Sequence, residues 1–155
     1  PGSGKSTFSR ALSQKTDLPL FHLDMLYWNA DRTTVEKTTF LSRLSEILSL
    51  DKWIIDGNYS STMEMRMLEC DTVIFLDYPT DVCIEGAKNR RGKPRSDMPW
   101  IEDENEVDEE FLELINNFSS QSRPQILSLL EKYPDKKAFV FKNRNEAQTF
   151  LKGEY

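Results

Sequence analysis

The chain begins with a short stretch, Pro-Gly-Ser-Gly-Lys-Ser-Thr, whose residue types suit the binding of phosphate groups. Glycines allow successive backbone N–H groups to turn toward one anion, and a helix that begins there adds the partial positive charge of its N-terminus. The lysine of such a loop reaches the outer phosphates of a nucleoside triphosphate, and the serine hydroxyl is a ligand for Mg²⁺. Lys5 is therefore a candidate catalytic residue as well. The predicted ATP–Mg²⁺ site comprises Gly2, Ser3, Gly4, Lys5, Ser6 and Thr7.

A site of this kind also needs a carboxylate at the end of another strand, to hold Mg²⁺ through water. Two aspartates follow apolar runs: Asp56 after Trp-Ile-Ile, and Asp77 after Val-Ile-Phe-Leu. We favour Asp56 as the metal residue beside Ser6, because Gly57 lets the chain turn close to the phosphates. Either aspartate could instead cap the turn that follows its strand, so the choice between them is left to geometry.

Four cations occur close together in a chain whose net charge is −6. Phosphoryl transfer depends on neutralising charge, so the cluster predicts a mobile lid over about 90–106. The alternative is a solvated basic turn that pairs with the acidic run from Glu102 to Glu113. We interpret that run mainly as helix-start and surface charge, with the added hypothesis that it holds the lid open. The cations are Arg90, Arg91, Lys93 and Arg95, and the three arginines are the predicted catalytic members.

The phosphoryl acceptor should lie where the apolar run 18–24 ends. A hydroxyl acceptor needs a carboxylate base, and Asp24 is placed for that role. Asp24 with Arg66 suits a small, hydroxyl-bearing acceptor better than a nucleotide, which would need several arginines. The single histidine, His22, is interpreted as a structural residue. The other candidate acceptor residues are Tyr27, Asn58 and Tyr59, although the tyrosines, like Trp28, also suit core packing.

Apolar runs and helical periodicity alternate along the whole chain. This alternation predicts one α/β domain over 1–155 with a mostly parallel sheet. A first helix should run from Lys5 to about Thr16, and Pro124 should kink or restart a late helix. The expected strands lie within 18–24, 52–57, 71–79 and 137–142.

Composition narrows the classes of partner. The acidic balance, with a pI near 4.9, disfavours nucleic acid and anionic membrane surfaces. The two cysteines form neither a disulfide framework nor a Cys-x-x-Cys motif, and no apolar run is long enough to span a bilayer. We expect a cytoplasmic protein that binds a nucleotide and a small-molecule acceptor.

The order of these motifs resembles that of adenylate-kinase-like P-loop NTPases. The stretches Trp-Ile-Ile-Asp-Gly-Asn-Tyr, Asp-Thr-Val-Ile-Phe-Leu-Asp-Tyr-Pro and Arg-Arg-Gly-Lys-Pro-Arg-Ser-Asp-Met-Pro-Trp are most similar to the DNA topology modulation proteins (FlaR-type). The resemblance implies a three-layer α/β/α fold with strand order 2-3-1-4-5 and an arginine-bearing lid. It also places the nucleotide base near Asn143 and Arg144. Asn58, Tyr59 and Ser60 replace the Phe-Pro-Arg of the adenylate kinase motif, which leaves the acceptor open.

The leading functional expectation is an ATP–Mg²⁺-dependent phosphotransferase. The alternatives are a DNA-associated or regulatory ATPase, as the family name suggests, and a nucleotide switch without transfer activity. In the order 2-3-1-4-5 the first strand is central and would precede Pro1. We therefore expect several apolar, β-prone residues before Pro1, because the neighbouring strands would otherwise keep unpaired backbone groups in the core.

Overall fold

Helices alternate with short parallel strands in the computed structural model, which describes residues 1–103, 105 and 108–153. The fold is therefore mixed α/β, as the sequence predicts. No helix in the described part of the chain is both long and apolar enough to cross a membrane. In chain order the elements are α1 (Lys5–Thr16), β1 (Leu20–His22), α2 (Leu23–Tyr27), α3 (Lys37–Leu48), β2 (Ile54–Asp56), α4 (Ser60–Glu69), β3 (Thr72–Leu76), α5 (Thr80–Asn89), α6 (Glu109–Lys132), β4 (Lys137–Phe141) and α7 (Arg144–Lys152).

The strands form two sheets of two strands each across the described residues. β1 pairs in parallel with β2, and β3 pairs in parallel with β4. The first register sets His22 beside Asp56, and the second sets Leu76 beside Phe141. The order 2-3-1-4-5 counts the strand expected before Pro1 as its strand 1. β1 and β2 would then be its strands 2 and 3, and β3 and β4 its strands 4 and 5, so both observed pairs are neighbours in that order. The five-stranded order and the three-layer fold stay predictions.

Two compact units divide the chain. The first unit comprises Pro1–Gly4, Asn58–Asn89 and the described part of Val107–Tyr155. The second unit comprises Lys5–Gly57 and the described part of Arg90–Glu106. The expectation of a single domain stays a prediction, and each unit is described by itself below.

In the second unit, α1 packs against β1 and β2, while α2 packs against α3. The buried residues of α3 are Phe40, Leu44 and Ile47, whose spacing puts them on one face of the helix. Leu23 in α2 is fully buried and lies against Gly57 just after β2. A Cβ at Gly57 would meet the Leu23 side chain at 2.7 Å, so this turn has room only for glycine.

In the first unit, α6 packs against α4 and α5, and α7 packs against β4. A buried cluster of Cys83, Ala87 and Ile115 joins α5 to α6. The ring of Phe150 in α7 lies 4.7 Å from that of Phe139 and 5.3 Å from that of Phe141, centroid to centroid. Aromatic packing of this kind holds the last helix on the sheet.

The strand expected over 18–24 is shorter than predicted. β1 ends at His22, and Asp24 lies in the first turn of α2 rather than at a strand end. The N–H of Trp28 donates to the carbonyl of Asp24 at 3.1 Å, which closes the short helix. The fully buried side chain of Leu23 anchors that helix. The apolar run therefore continues as helix because its packing favours that state over strand.

The helix around Pro124 differs from one of the two forms expected. α6 does not restart at Pro124 but continues from Glu109 to Lys132, and a kink at this residue stays a prediction. The buried residues Ile115, Ile126 and Leu129 lie on both sides of the proline, and this packing outweighs the local cost of Pro, about 3 kcal/mol. In β3 only Phe75 and Leu76 are buried.

Candidate functional site

The glycine-rich turn has the backbone conformation that only glycine adopts readily. Gly2 has φ of +73° and Gly4 has φ of +89°. Gly2 also lies directly against α5, because a Cβ there would meet the carbonyl oxygen of Cys83 at 2.0 Å. A Cβ at Gly86 would in turn meet the carbonyl oxygen of Gly2 at 2.1 Å. The first unit therefore fixes the start of the predicted phosphate loop by close backbone packing that excludes any side chain.

The hydroxyl of Ser6 and the carboxylate of Asp56 are in direct contact within the second unit. Ser6 Oγ donates to Asp56 Oδ2 at 2.7 Å, although 50 residues separate them in the chain. His22 Nδ1 lies 2.8 Å from the same oxygen, and it is the donor because an ionised carboxylate only accepts. The parallel pairing of β1 with β2 sets His22 beside Asp56, and the packing of α1 on both strands brings Ser6 to them.

Asp56 stays ionised although it is buried. Burial alone would raise the pKa of Asp56, but the hydrogen bond from His22 and the positive charge of Lys5 outweigh it and lower the pKa below its usual value of 3.8. The hydrogen bond from Ser6 acts in the same direction. A buried anion beside a hydroxyl and a lysine is a setting in which a further cation is favourable.

The oxygen donors of Ser6 and Asp56 fit Mg²⁺ by their chemistry. Mg²⁺ keeps several waters and is usually held by one or two protein oxygens together with substrate phosphates. Among the described residues there is no group of three or more His, Cys, Asp or Glu side chains that could hold a metal ion. A hydroxyl with one carboxylate is thus a Mg²⁺–phosphate type of donor set, rather than an all-protein cage.

Asp77, the alternative metal residue, is occupied by cations. In the first unit Arg123 donates to both carboxylate oxygens at 2.9 and 3.1 Å, and the ammonium of Lys142 donates to Oδ2. Burial would raise the pKa of Asp77, but these two cations lower it. Asp77 therefore belongs to an ion-paired cluster that links the ends of β3 and β4 to α6.

The expected lid is an irregular segment in which Arg90 and Arg95 are paired with carboxylates. Across the described residues 90–103 there is neither helix nor strand. Glu102 accepts two hydrogen bonds from Arg90, at 2.9 and 3.0 Å, and one from Arg95 at 3.1 Å. Arg91 is partly buried and Lys93 is exposed. The pairing with Glu102 matches the alternative weighed from the sequence, while Glu104 and Glu106 of the acidic run lie outside the described residues.

Asp97 belongs to this segment, and sequence reasoning missed it. Its side chain is only 3% exposed, and Arg95 donates to it through Nε at 3.1 Å and through Nη2 at 2.6 Å. Arg10 of α1 approaches Asp97 Oδ1 to 3.6 Å. Burial would raise the pKa of Asp97, but hydrogen bonds with Arg95 and Ser6 lower it far below its usual value. The available signal was one acidic residue inside a basic stretch.

Asp24 and Tyr27, two of the candidate acceptor residues, lie in the second unit. The negative charge of Asp24 acts on Arg95. Burial alone would lower the pKa of Arg95, but its hydrogen bond to Asp97 and the surrounding negative charges, Asp24 among them, raise it overall. Tyr27 packs edge-to-face on Trp28 and on Phe40, with ring centroids 5.2 and 5.4 Å apart. These contacts are typical of core packing, the alternative reading of this tyrosine.

The other candidate acceptor residues lie in the first unit. Arg66 donates to the carbonyl oxygens of Asn58 and Tyr59, each at 3.1 Å, and to that of Thr62 at 3.3 Å. The guanidinium therefore braces the turn that leads into α4. Its role toward an acceptor, like those of Asn58 and Tyr59, stays a prediction.

The turn after β4 is stabilised by a helix cap. Asn143 accepts from the N–H of Glu146 at 2.9 Å, and Glu146 in turn accepts from the N–H of Lys142 at 2.7 Å. The guanidinium of Arg144 lies 3.3 Å from the position that a Cβ of Gly86 would take. Asn143 thus acts as a cap in this structure, and the placing of a nucleotide base here stays a prediction.

No family model matches the chain, and no curated protein matches it significantly.

Proposed function

We propose that this chain is a P-loop phosphotransferase that moves the terminal phosphate of ATP–Mg²⁺ to a small acceptor. The proposal includes a three-layer α/β/α architecture with strand order 2-3-1-4-5. The parallel pairing of β1 with β2 and of β3 with β4 supports that order, because it would make both pairs neighbours.

One observation carries the proposal. The serine that follows the Gly-x-Gly-Lys turn donates a hydrogen bond to the strand-end carboxylate of Asp56 at 2.7 Å. A hydroxyl at the start of a helix and a carboxylate at the end of a neighbouring strand are the two protein oxygens that hold Mg²⁺ at a triphosphate. Their contact is long-range in the chain, so it does not follow from the local Gly-Lys-Ser sequence.

Each site residue has a proposed task that its chemistry permits. Lys5 neutralises the outer phosphates, and Ser6 with Asp56 would hold Mg²⁺, which when bound polarises those phosphates. Arg90, Arg91 and Arg95 offset the charge that develops during transfer. Asp24 accepts the proton of a hydroxyl acceptor. Thr7, Ser3, Asn143 and Arg144 complete the proposed nucleotide contacts, and Tyr27, Asn58, Tyr59 and Arg66 the proposed acceptor contacts.

A binding measurement tests the nucleotide site directly. We expect Lys5→Met to weaken MgATP binding by about 10- to 100-fold, since one charge-assisted bond contributes roughly 1.5–3 kcal/mol. Lys52→Met, at an exposed lysine of the same unit, removes the same charge and serves as the control. Calorimetry at fixed ionic strength gives the affinity. Equal affinity in the two variants would rule out Lys5 as a phosphate ligand.

A turnover measurement separates transfer from switching. ATP consumption should rise when the correct acceptor is added from a panel of nucleosides, sugars and hydroxyl acids. Asp24→Asn should abolish that rise while MgATP binding persists. Tight MgATP binding without stimulation by any acceptor in the panel would favour the nucleotide switch instead.

A further inference from the structure

The least exposed charged side chain of the basic segment is an anion, Asp97. Its carboxylate accepts two hydrogen bonds from Arg95 and is approached by Arg10. Arg10 also donates to Thr7 Oγ1 at 3.3 Å and to Ser96 Oγ at 3.4 Å, which aims its guanidinium along the first turns of α1. All of these residues belong to the second unit.

This surrounding is one that would suit a phosphate group equally well. An arginine fork recognises two oxygens of a carboxylate or of a phosphate with the same geometry. Serine and threonine hydroxyls at the start of a helix add neutral donors, and the helix N-terminus favours negative charge. Asp97 therefore occupies the place where the guanidinium groups of Arg95 and Arg10 meet.

We propose that Arg95 and Arg10 form an anion subsite for the terminal phosphoryl group of a polyphosphate, and that the Asp97 carboxylate occupies this subsite as an internal competitor. The inference rests on the proposed function and deepens it, because it assigns Arg10 and Asp97 roles at the same site. Binding of the ligand requires Asp97 to leave, so the affinity observed is lower than the intrinsic affinity of the open subsite.

The competition predicts an unusual sign for a mutation that removes a carboxylate. Asp97→Asn keeps the shape of the side chain but gives up its charge, so both arginines become available to the ligand. We expect the dissociation constants for MgATP and for inorganic tripolyphosphate each to fall by about 10-fold, measured by calorimetry at fixed ionic strength. A purely structural ion pair predicts the reverse, since its loss would loosen the segment and leave binding unchanged or weaker.

A matched control removes the effect of net charge. Asp103→Asn makes the same change at an exposed aspartate of the same segment, whose carboxylate accepts from the N–H of Asn105. We expect it to change either dissociation constant by less than about twofold, because exposed charges are screened. Equal tightening in both variants would overturn the inference in favour of a general charge effect.

Failure of this inference and failure of the proposed function give different results. If wild type binds MgATP and Asp97→Asn binds it with unchanged or lower affinity, the internal competitor is wrong and the nucleotide site stands. If neither protein binds MgATP or tripolyphosphate, both are wrong. If Asp97→Asn does not fold, Arg10→Gln decides, because the Arg10 side chain is 39% exposed and its loss should be tolerated. That variant should weaken tripolyphosphate binding by about fivefold or more relative to Lys15→Gln in the same helix, and equal affinities would overturn the subsite.

Discussion

At the scale of single residues, the centre of the candidate site is one oxygen atom. Ser6 and His22 both donate to Oδ2 of Asp56, and the three side chains come from α1, β1 and β2. His22 was interpreted from the sequence as a structural residue at a strand end. The hydrogen bond from His22 orients the carboxylate of Asp56 and keeps it ionised, and this is the carboxylate proposed to support Mg²⁺.

Replacing His22 should cost stability because it leaves a buried anion with one donor fewer. We expect His22→Leu to lower the free energy of unfolding by about 1–3 kcal/mol. His22→Gln, which can still donate, should recover part of that loss. Urea unfolding at neutral pH measures both variants. Identical losses for Leu and Gln would mean that packing of the ring, rather than its hydrogen bond, is what matters.

At the scale of elements, the position of helix α5 depends on close contact with the backbone of Gly2. Cys83 and Gly86 lie one turn apart on the helix face that meets Gly2, and neither contact has room for a further carbon. A glycine in the middle of a helix normally costs about 1 kcal/mol relative to alanine. Here the close approach of two backbones compensates for that cost.

The exchange Gly86→Ala should therefore have the opposite sign to the usual helix substitution. Its new carbon would lie 2.1 Å from the carbonyl oxygen of Gly2, so the helix or the turn must move. We expect a loss of stability of about 1–3 kcal/mol, the range for overpacking, instead of a gain. Thermal unfolding measures it, with Lys88→Ala at an exposed position of the same helix as control. A stabilised Gly86→Ala variant would contradict this packing.

Some elements were predictable and others were not, for physical reasons. The Gly-Lys-Ser start of α1 is a local signal, and the helix predicted from Lys5 to about Thr16 is confirmed. The end of β1 at His22 and the continuity of α6 through Pro124 depend on packing between distant segments. Local propensity carries no information about such packing.

The candidate site divides in the same way. Lys5, Ser6 and Asp56 carry residue-type signals that a sequence shows directly. Arg10 and Asp97 are 87 residues apart in the chain (97 minus 10). The fold brings Arg10 Nη1 to 3.6 Å from Asp97 Oδ1, and this contact is what makes both residues candidates. Arg10 belongs to no motif, and Asp97 lies in a stretch whose sequence signal comes from its cations, so only the folded arrangement identifies the pair.

At the scale of the whole molecule, the net charge is −6, yet individual carboxylates are paired locally with specific cations. Asp77 with Arg123 and Lys142 is the clearest case in the first unit. Burial raises the pKa of Asp77, yet the two cations bring it below 3.8, so folding favours its ionised form. A carboxyl whose pKa is lowered by folding stabilises the protein above its ordinary pKa, and that stabilisation is lost as the pH falls below it.

Stability should consequently be flat at neutral pH and decline below about pH 4. Asp77→Asn should reduce the free energy of unfolding at pH 7 by about 0.2–1 kcal/mol, because Arg123 and Lys142 lose their charged partner but are themselves partly exposed to solvent. It should also make the decline in acid shallower, because one proton fewer is taken up on unfolding. Urea titrations from pH 3 to pH 7 would measure both effects, with Asp135→Asn, at an exposed aspartate, as control. A decline as steep as that of wild type would exclude Asp77 as a contributor.

The pairing within residues 90–103 has a consequence for long polyanions. Binding to a duplex is driven largely by counterion release, and only cations that are free to replace those counterions contribute. Arg90 and Arg95 already have Glu102 and Asp97 as partners, so they bring little to such an exchange. A stretch that is rich in arginine and lysine in the sequence therefore presents little net positive charge to a nucleic acid. The anion subsite proposed above would instead take a ligand small enough to replace the Asp97 carboxylate beside Arg95.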